Sequence, residues 1–195
     1  MKLHIGCGND IKKDWINHDI VKLKGVDVVH DLSQYPWPWS DGTFEEIYMK
    51  DVLEHLPNTV RVMEELYRIS KPGGKVYIAV PYWNSWEAIT DPTHISQYNE
   101  YTFDFFDSSK RRCQDRPYYT HARFKIKRMG FSMALIPYFN PVISIKGRSR
   151  SLLGWLPPWR HFVIFNPLFK FVFGVLASYL SNIIIGLEVY LEKES

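Results

Sequence analysis

Three features near the start of the chain have residue types suited to binding a nucleoside. Gly6-Cys7-Gly8 follows the short apolar run Lys2–Ile5, and Asp19 and Asp31 end the next two apolar runs. Glycines let a backbone approach a ligand closely because they carry no Cβ. A carboxylate at the end of the second strand of a parallel sheet accepts hydrogen bonds from ribose hydroxyls, and Asp31 is placed to accept from an adenine amino group. Each acid alone also suits a helix cap or a turn, but the three in order predict a nucleoside site.

The same segment excludes two common phosphate-binding motifs. No Gly-Lys-Ser/Thr follows the glycines, so the segment is not a P-loop, and Ile11 stands where the dinucleotide motif GxGxxG needs its third glycine. Cys7 and Cys113 form no CxxC pair, and the histidines show no HExxH spacing. We therefore expect neither a disulfide framework nor a structural metal. We expect Cys7 to be a small buried residue rather than a nucleophile.

Two histidines and an aspartate further along the chain are candidates for proton transfer. His55 lies in an LEHL segment, and Asp91 and His94 follow the fifth apolar run. A positioned imidazole or carboxylate takes a proton from an acceptor that must lose one. The structural alternatives are that His55 begins a helix and fixes a loop, Asp91 starts an Asp-Pro turn, and His94 caps a helix.

The hydrophobic pattern predicts the elements that position these residues. Thr59–Ser70 has helical spacing, with Asn58 or Thr59 as its N-cap. Only six residues separate Gly8 from Trp15, so either the first crossover helix is reduced to a turn or the second strand sits at a looser angle. Strands alternating with helical segments are typical of a parallel α/β sheet. The runs that predict strands are Lys2–Ile5, Trp15–Ile20, Val26–His30, Glu45–Met49 and Lys75–Val80.

Beyond Pro81 the pattern changes and predicts fewer regular elements. We expect a helix near Asn99–Ser108 and a half-buried strand at Ala122–Lys127, which Phe131–Tyr138 continues past a turn or bulge at Gly130. Leu187–Lys193 alternates again and is interpreted as a closing edge strand.

The segment Ser151–Gly186 is unusually apolar. Its only formal charges are Arg160 and Lys170. It lacks the roughly 20 uninterrupted apolar residues of a membrane span. We interpret it as a helical hairpin that packs on the protein itself, on a second subunit or on a membrane surface.

Five motifs in the first half of the chain occur together in a characteristic order: Gly6-Cys7-Gly8, Asn17-His18-Asp19, Val28–Leu32, Asp51–Leu56 and Leu66–Gly74. They resemble those of the class I S-adenosylmethionine-dependent methyltransferases, of the compact type-11-like kind, and the LEHL and KPGG signatures are the most specific. The resemblance covers about residues 2–81. It implies a Rossmann-like α/β fold with a mostly parallel seven-stranded sheet, an antiparallel last strand, and S-adenosylmethionine as cofactor.

The resemblance also implies roles for individual residues. The Gly6-Cys7-Gly8 loop lines the methionine part of the cofactor, Asp19 holds the ribose and Ile20 flanks the adenine. Asp31 and Leu32 meet the adenine edge. The segment after the fourth strand, with Asp51 and Val52, contacts the methionine moiety or the acceptor.

A single methyltransferase domain, 1–195, is expected to contain four parts. These are a cofactor-binding core at 1–81, an acceptor-side region at 82–150, the apolar insertion at 151–186 and a closing strand at 187–195. Cytoplasmic localisation, with membrane association through the insertion, is the expectation for a chain with two cysteines and no signal peptide.

The acceptor is less constrained than the cofactor. Residues 110–150 hold eleven Lys or Arg against one acid, Asp115, which suggests an anionic partner or a solvated basic face. We expect an enzyme acting on a small or lipid-like acceptor, with the insertion contacting an anionic membrane or forming a homodimer. The alternatives are an RNA methyltransferase that uses the basic 110–150 segment, and a non-catalytic cofactor-binding adaptor. Five aromatic residues either line an apolar acceptor or belong to the core: Tyr82, Trp83, Trp86, Tyr98 and Tyr101.

Overall fold

Ten strands and four α-helices form in the computed structural model, which describes residues 1–133, 142–145, 148–151, 162–180 and 184–194. The strands are β1 Lys2–Ile5, β2 Ile16–Asp19, β3 Val28–Val29, β4 Phe44–Lys50, β5 Ser70–Pro81, β6 Phe124–Met133, β7 Val142–Ile145, β8 Arg148–Ser151, β9 Phe162–Ile164 and β10 Ile184–Lys193. The α-helices are α1 Thr59–Ile69, α2 Trp86–Thr90, α3 Arg111–Asp115 and α4 Pro167–Tyr179. Three 3₁₀ turns are η1 Leu53–His55, η2 Thr102–Phe106 and η3 Pro117–Tyr119.

The main sheet has the order β3-β2-β1-β4-β5-β10-β6-β9. Strands β1 to β5 pair in parallel, and β10 is antiparallel to both β5 and β6. The predicted seven-stranded, mostly parallel sheet with a reversed last strand is therefore confirmed, and β9 adds a short eighth strand at the edge. Strands β7 and β8 form a separate two-stranded sheet.

The interpretation of Leu187–Lys193 as an edge strand is wrong. This segment belongs to β10, which lies between β5 and β6 and hydrogen-bonds to both. Alternating polarity reports that the two faces of a strand differ, but it says nothing about how many neighbours the strand has.

The connection from β1 to β2 has no helix and consists of tight turns. Asp10 N–H donates to the carbonyl of Cys7 at 2.8 Å, and the strands still pair in parallel, with Leu3 opposite Ile16. The first of the two predicted alternatives, a crossover reduced to a turn, is the one observed. The carboxyl end of β1 is therefore held close to that of β2.

Helix α1 packs its apolar stripe into the core of the sheet. Asn58 caps it, since its side chain accepts from the N–H of Arg61 at 3.1 Å, as a short polar residue does at a helix start. The helix ends at Ile69, just before the Lys-Pro-Gly-Gly sequence that the pattern predicts as its stop. The buried side chains of the stripe include Val62, Met63, Leu66 and Ile69.

The later elements depart from the predicted ones in two places. The predicted helix near Asn99–Ser108 is only the 3₁₀ turn η2. The described part of the apolar segment contains one helix, α4, and the strand β9, and the rest of the predicted helical hairpin falls on residues that the structure does not describe. Strand β6 continues to Met133, and residues 134–138 of its predicted extension, like 152–161 and 181–183 of the insertion, lie outside the described residues. In the part of the chain that the structure describes, no helix has the length and apolarity needed to cross a membrane.

Candidate cofactor and acceptor site

A cavity of about 480 Å³ opens at the carboxyl ends of β1, β2 and β4. Ligands of open α/β sheets bind in this crevice, and the volume lies in the range of small-molecule sites, about 300–1,000 Å³. Every predicted cofactor residue except Cys7 and Gly8 lines it, together with the predicted catalytic residue His55. The lining comprises Gly6, His18, Asp19, Ile20, His30, Asp31, Leu32, Ser33, Asp51, Val52, His55 and Leu56.

The two glycines after β1 both have left-handed backbone conformations, with φ of 65° at Gly6 and 51° at Gly8. A Cβ on Gly6 would collide with Cγ2 of Val52, whereas a Cβ on Gly8 would meet open space. Gly6 therefore brings the first loop against the segment after β4. Gly8 needs glycine for its conformation rather than for a close contact.

Asp19 ties this loop to the end of β2. Its Oδ2 accepts from the N–H of Gly8 at 2.7 Å, and its Oδ1 accepts from the N–H of Val21 at 3.1 Å. A carboxylate offers about four lone-pair positions, so acceptor capacity remains for a pair of ribose hydroxyls. Asp19 is thus both a structural anchor and a lining residue of the cavity.

Asp31 forms a turn and also lines the cavity. Its Oδ1 accepts from the N–H of Ser33 at 2.9 Å, and this hydrogen bonding holds the pKa of Asp31 below its usual range. The carboxylate is therefore ionised at neutral pH and remains an acceptor for a polar ligand group. The turn and the ligand interpretations are compatible.

Cys7 contributes through its backbone, not through its thiol. The side chain is buried, and burial raises the pKa of the thiol, which lowers its thiolate fraction. Its N–H donates to the carbonyl of His18 at 2.9 Å and holds the loop onto β2.

Two histidines that line the cavity, His18 and His30, were not predicted as site residues. A ring nitrogen of His18 lies 2.9 Å from the carbonyl of His30, and burial lowers the pKa of His18, so its imidazole is neutral. The signal that would have found them is the parallel pairing of β2 with β3, which places the residues beside Asp19 and Asp31 at the same edge.

A second cluster adjoins the cavity and contains the predicted catalytic histidines. The ring centroids of His55 and His94 are 4.7 Å apart, and His94 Nε2 lies 3.9 Å from Oε1 of Glu54. The N–H groups of Ile95 and Ser96 donate to the backbone carbonyl of Glu54, which holds η1 against the loop after α2. Burial raises the pKa of Glu54 to about 8.

Asp91 reaches this cluster through Thr93. The Thr93 hydroxyl is 2.6 Å from Asp91 Oδ1 and 2.9 Å from His55 Nδ1. Asp91 itself is exposed, ends helix α2 and also accepts from the N–H of Thr93. The structure therefore brings together all three predicted catalytic residues, with Asp91 one hydroxyl away from His55.

The aromatic residues of the acceptor-side region divide between core and surface. Tyr82 and Tyr98 are buried, and the hydroxyl of Tyr98 donates to the carbonyl of Leu53 at 3.1 Å. Trp83 and Tyr101 are exposed. Tyr98 therefore holds η1 in place, while Trp83 and Tyr101 lie at the surface, where the Tyr101 ring is 4.9 Å from the guanidinium of Arg112.

Comparisons with known proteins agree with the fold. Residues 7–78 match the family described as a methyltransferase domain. The chain is 32% identical over 44 residues to phosphoethanolamine N-methyltransferase 2 of Caenorhabditis elegans, a match covering 23% of this chain and 10% of that protein. It is 33% identical over 58 residues to demethylmenaquinone methyltransferase of Bacillus mycoides, a match covering 30% of this chain and 24% of that protein. The aligned regions thus span no more than a quarter of either curated relative.

A solved structure extends the likeness to nearly the whole chain. The S-adenosylmethionine-dependent methyltransferase of Archaeoglobus fulgidus superposes with a TM-score of 0.56 at 18% identity, covering 98% of this chain and 85% of that one. The fold is therefore that of a class I S-adenosylmethionine-dependent methyltransferase, as the resemblance of the motifs implied. Residues 7–78 match the methyltransferase-domain model, and S-adenosylmethionine is the cofactor that this match and the fold imply.

Proposed function

We propose that the protein transfers a methyl group from S-adenosylmethionine to a small or lipid-like acceptor that enters beside His55 and His94. The observation that carries the proposal is the cavity at the carboxyl ends of β1, β2 and β4, where Gly6, Asp19 and Asp31 converge with His55. Methyl transfer depends mainly on holding the sulfonium methyl and the acceptor in line, about 3–3.5 Å apart.

The chain supplies a proton acceptor for substrates that need one. His55 lines the cavity, and its partner His94 lies behind it in the loop after α2. An acceptor hydroxyl must lose its proton as its oxygen bonds to the methyl carbon, and an ammonium must lose one beforehand, so that its nitrogen has the lone pair that attacks. An imidazole at this position takes that proton. S-adenosylhomocysteine is then the leaving product.

The lipid-like character of the acceptor is supported by helix α4. Asn84, in the loop after β5, donates its side-chain amide to the carbonyl of Ala177, so α4 lies against the acceptor-side region. The outer face of α4 is apolar and exposed, as expected for a helix that meets lipid or another apolar surface. The two curated relatives are named for different acceptors, phosphoethanolamine and demethylmenaquinone, so the acceptor must be found by experiment.

The RNA alternative has less support because many of its cations are engaged with other groups. Arg111 is 3.4 Å from Asp115, Lys127 is 3.4 Å from Glu192, and Arg123 donates to backbone carbonyls. Arg111 and Lys127 are paired with acids and therefore release fewer counterions from a phosphate backbone, while Arg123 keeps its charge but is held in place by the carbonyls. A non-catalytic adaptor would also bind the cofactor, so only a measurement of methyl transfer distinguishes it from an enzyme.

The test begins with cofactor affinity. S-adenosylhomocysteine should bind the wild-type chain in calorimetry, and Asp19→Ala should weaken binding by about 1.5–3 kcal/mol, the cost of hydrogen bonds to a charged group. Asp10→Ala is the matched control, since Asp10 is an exposed carboxylate of the same loop that does not line the cavity. Wild-type affinity in Asp19→Ala would contradict the ribose assignment.

The acceptor class is tested with the labelled methyl group. The enzyme is incubated with S-adenosylmethionine carrying a tritiated methyl, and with either a total lipid extract or total RNA. Label in the organic phase supports the proposal, and label retained only on RNA overturns it in favour of the alternative. Cofactor binding without transfer to either extract or to small-molecule pools would identify an adaptor.

A further inference from the structure

Three potential metal ligands converge beside the cavity, although their sequence spacing does not suggest a metal site. Glu54 and His55 come from η1, and His94 comes from the loop after α2. One ligand atom from each residue lies within 4.8 Å of the other two. A zinc-type ion with bonds of about 2.0–2.1 Å holds its ligands roughly 3.3 Å apart, so modest side-chain rotations would close the cluster around an ion.

The hydrogen bonds around His55 leave its Nε2 free to act as a ligand. The Thr93 hydroxyl has a single proton, which it donates to the ionised Asp91 carboxylate at 2.6 Å. It must therefore accept from Nδ1–H of His55, 2.9 Å away. In the tautomer that this hydrogen bond selects, Nδ1 carries the proton and Nε2 carries the lone pair.

His94 is oriented in the same way by a different partner. Its Nδ1 lies 3.3 Å from the carbonyl of Ala88, and a carbonyl only accepts. Nδ1 therefore carries the proton, and Nε2, which faces Glu54, carries the lone pair. Metal-binding histidines typically donate their second ring N–H to a carboxylate, carbonyl or hydroxyl in this manner. Both imidazoles of the cluster meet this condition before any ion is bound.

Glu54 supplies an independent indication of a missing partner. Its side chain is 1% exposed, and neither carboxylate oxygen has a hydrogen-bond partner. Buried carboxyl groups without partners are costly, and buried charges are usually paired or coordinate metals. A cation between Glu54 and the two Nε2 atoms would satisfy this carboxylate.

We propose that Glu54, His55 and His94 bind one divalent transition-metal ion at the wall of the cofactor cavity. Two imidazoles and one carboxylate suit Zn²⁺, Mn²⁺ or Fe²⁺ better than Mg²⁺ or Ca²⁺, which prefer oxygen ligands. Three protein ligands leave coordination positions open. Since His55 lines the cavity, an acceptor with oxygen donors is the substrate class that such an ion would hold.

Ion binding can be measured without methyl transfer, whereas the ion's role in holding the acceptor rests on the proposed function. In a chain with the ion bound, His55 is a ligand and is not the proton acceptor. The experiment titrates ZnCl₂ or MnCl₂ into chelator-treated protein by calorimetry, and S-adenosylhomocysteine into a second aliquot. One ion per chain is expected. Glu54→Gln and His94→Ala should abolish that binding event, and Thr93→Ala should weaken it about 10–100-fold, as losing an outer-sphere partner does.

The matched control is His121→Ala. His121 also lies beside a carboxylate, with Nδ1 3.4 Å from Glu64 Oε1, but it is 69% exposed and lies outside the three-residue cluster. Its substitution should leave the titration unchanged. Glu54→Gln keeps the shape of the side chain, and thermal unfolding checks that each variant folds. The metal site is overturned if ion binding survives both Glu54→Gln and His94→Ala. It is also overturned if the wild-type chain binds S-adenosylhomocysteine but no ion. Neither result contradicts the proposed function. Loss of S-adenosylhomocysteine binding by the wild type would overturn the proposed function alone.

Discussion

At the scale of single residues, the site depends on contacts that distance in the sequence conceals. The order of Gly6, Asp19 and Asp31, each after an apolar run, was enough to predict a ligand site at the edge of the sheet where these strands end. The convergence of Glu54 with His94 was not predictable, because it requires the loop after α2 to fold back onto η1 through backbone hydrogen bonds. The order of residues in the sequence reveals a site when each residue follows a strand of the same parallel sheet, but not when a loop must fold back to complete the site.

The two glycines of the first loop give a residue-scale prediction. Gly8→Ala should lose only about 1–2 kcal/mol of unfolding free energy, the cost of a left-handed conformation in an L-residue. Gly6→Ala should lose clearly more and should impair S-adenosylhomocysteine binding, because its Cβ collides with the stiff β-branched side chain of Val52. Urea unfolding and calorimetry measure the two effects.

Shortening the opposing side chain provides the control for Gly6. In the Gly6→Ala/Val52→Ala double variant the collision is removed. The double variant should therefore lose less unfolding free energy than the sum of the losses in the two single variants. Equal losses in Gly6→Ala and Gly8→Ala would show that the contact with Val52 is unimportant.

At the scale of elements, helix α1 fixes the loop that follows Asp31. Arg68 donates to both carboxylate oxygens of Glu65, at 3.0 and 2.6 Å, and also to the carbonyls of Trp37 and Trp39. Glu65 in turn accepts from the N–H of Trp37 at 2.8 Å. A Pro- and Trp-rich loop is thereby attached to a helix packed on the sheet.

Removing Arg68 should therefore destabilise the whole fold. Arg68→Ala leaves a carboxylate that is 7% exposed without its charged partner, and breaking a buried pair in this way costs about 3–5 kcal/mol. Arg61→Ala is the control on the same helix, since Arg61 is 52% exposed and its pair with Glu64 should contribute less than about 1 kcal/mol. Chemical denaturation measures the unfolding free energy of both variants. Similar losses in Arg68→Ala and Arg61→Ala would contradict this account.

The same cluster predicts a dependence of stability on pH. Burial alone would raise the pKa of Glu65, but hydrogen bonds from Arg68 and Trp37 outweigh it and hold the pKa below its usual range. Because the folded pKa is the lower one, the stabilising contribution is complete above the unfolded value, about 4.3, and is lost as the pH falls through the folded pKa. The difference in unfolding free energy between wild type and Glu65→Gln should therefore shrink on acidification from about pH 7 to pH 3. A constant difference over this range would refute the assignment.

Elements were predictable where one segment carries its own pattern. Helix α1 and strands β1, β2, β4 and β5 follow from periodicity and from cap and stop residues, because these signals are local. The place of β10 inside the sheet was not predictable, since it depends on pairing with β5 and β6. The helix predicted near η2 is absent for a related reason. Its apolar residues, such as Phe103 and Phe106, are buried by tertiary packing without forming a full helix.

At the scale of the whole molecule, helix α4 is the feature that the cofactor-binding core does not explain. Asn166 caps its start, and Lys170 donates to the carbonyl of Met129, which attaches the helix to β6. Ala177 is buried, whereas seven large apolar side chains in the helix and directly after it are exposed. These are Leu168, Phe169, Phe171, Val172, Val175, Leu176 and Leu180. A patch of this kind on a soluble surface usually marks an interaction site.

We expect the exposed face of α4 to mediate self-association or contact with an anionic membrane. Leu168 and Phe171 are 68% and 69% exposed, so replacing both with serine removes apolar contact area without disturbing the core. The double variant should lose dimer formation in sedimentation equilibrium, or pelleting with anionic vesicles, whichever the wild type shows. Its affinity for S-adenosylhomocysteine should stay unchanged, because the cavity lining ends at Leu56. Val29→Ser is the control, since Val29 is 47% exposed and β3 lies at the opposite edge of the sheet from β9. A wild-type chain that is monomeric and ignores anionic vesicles would show that this face meets neither partner.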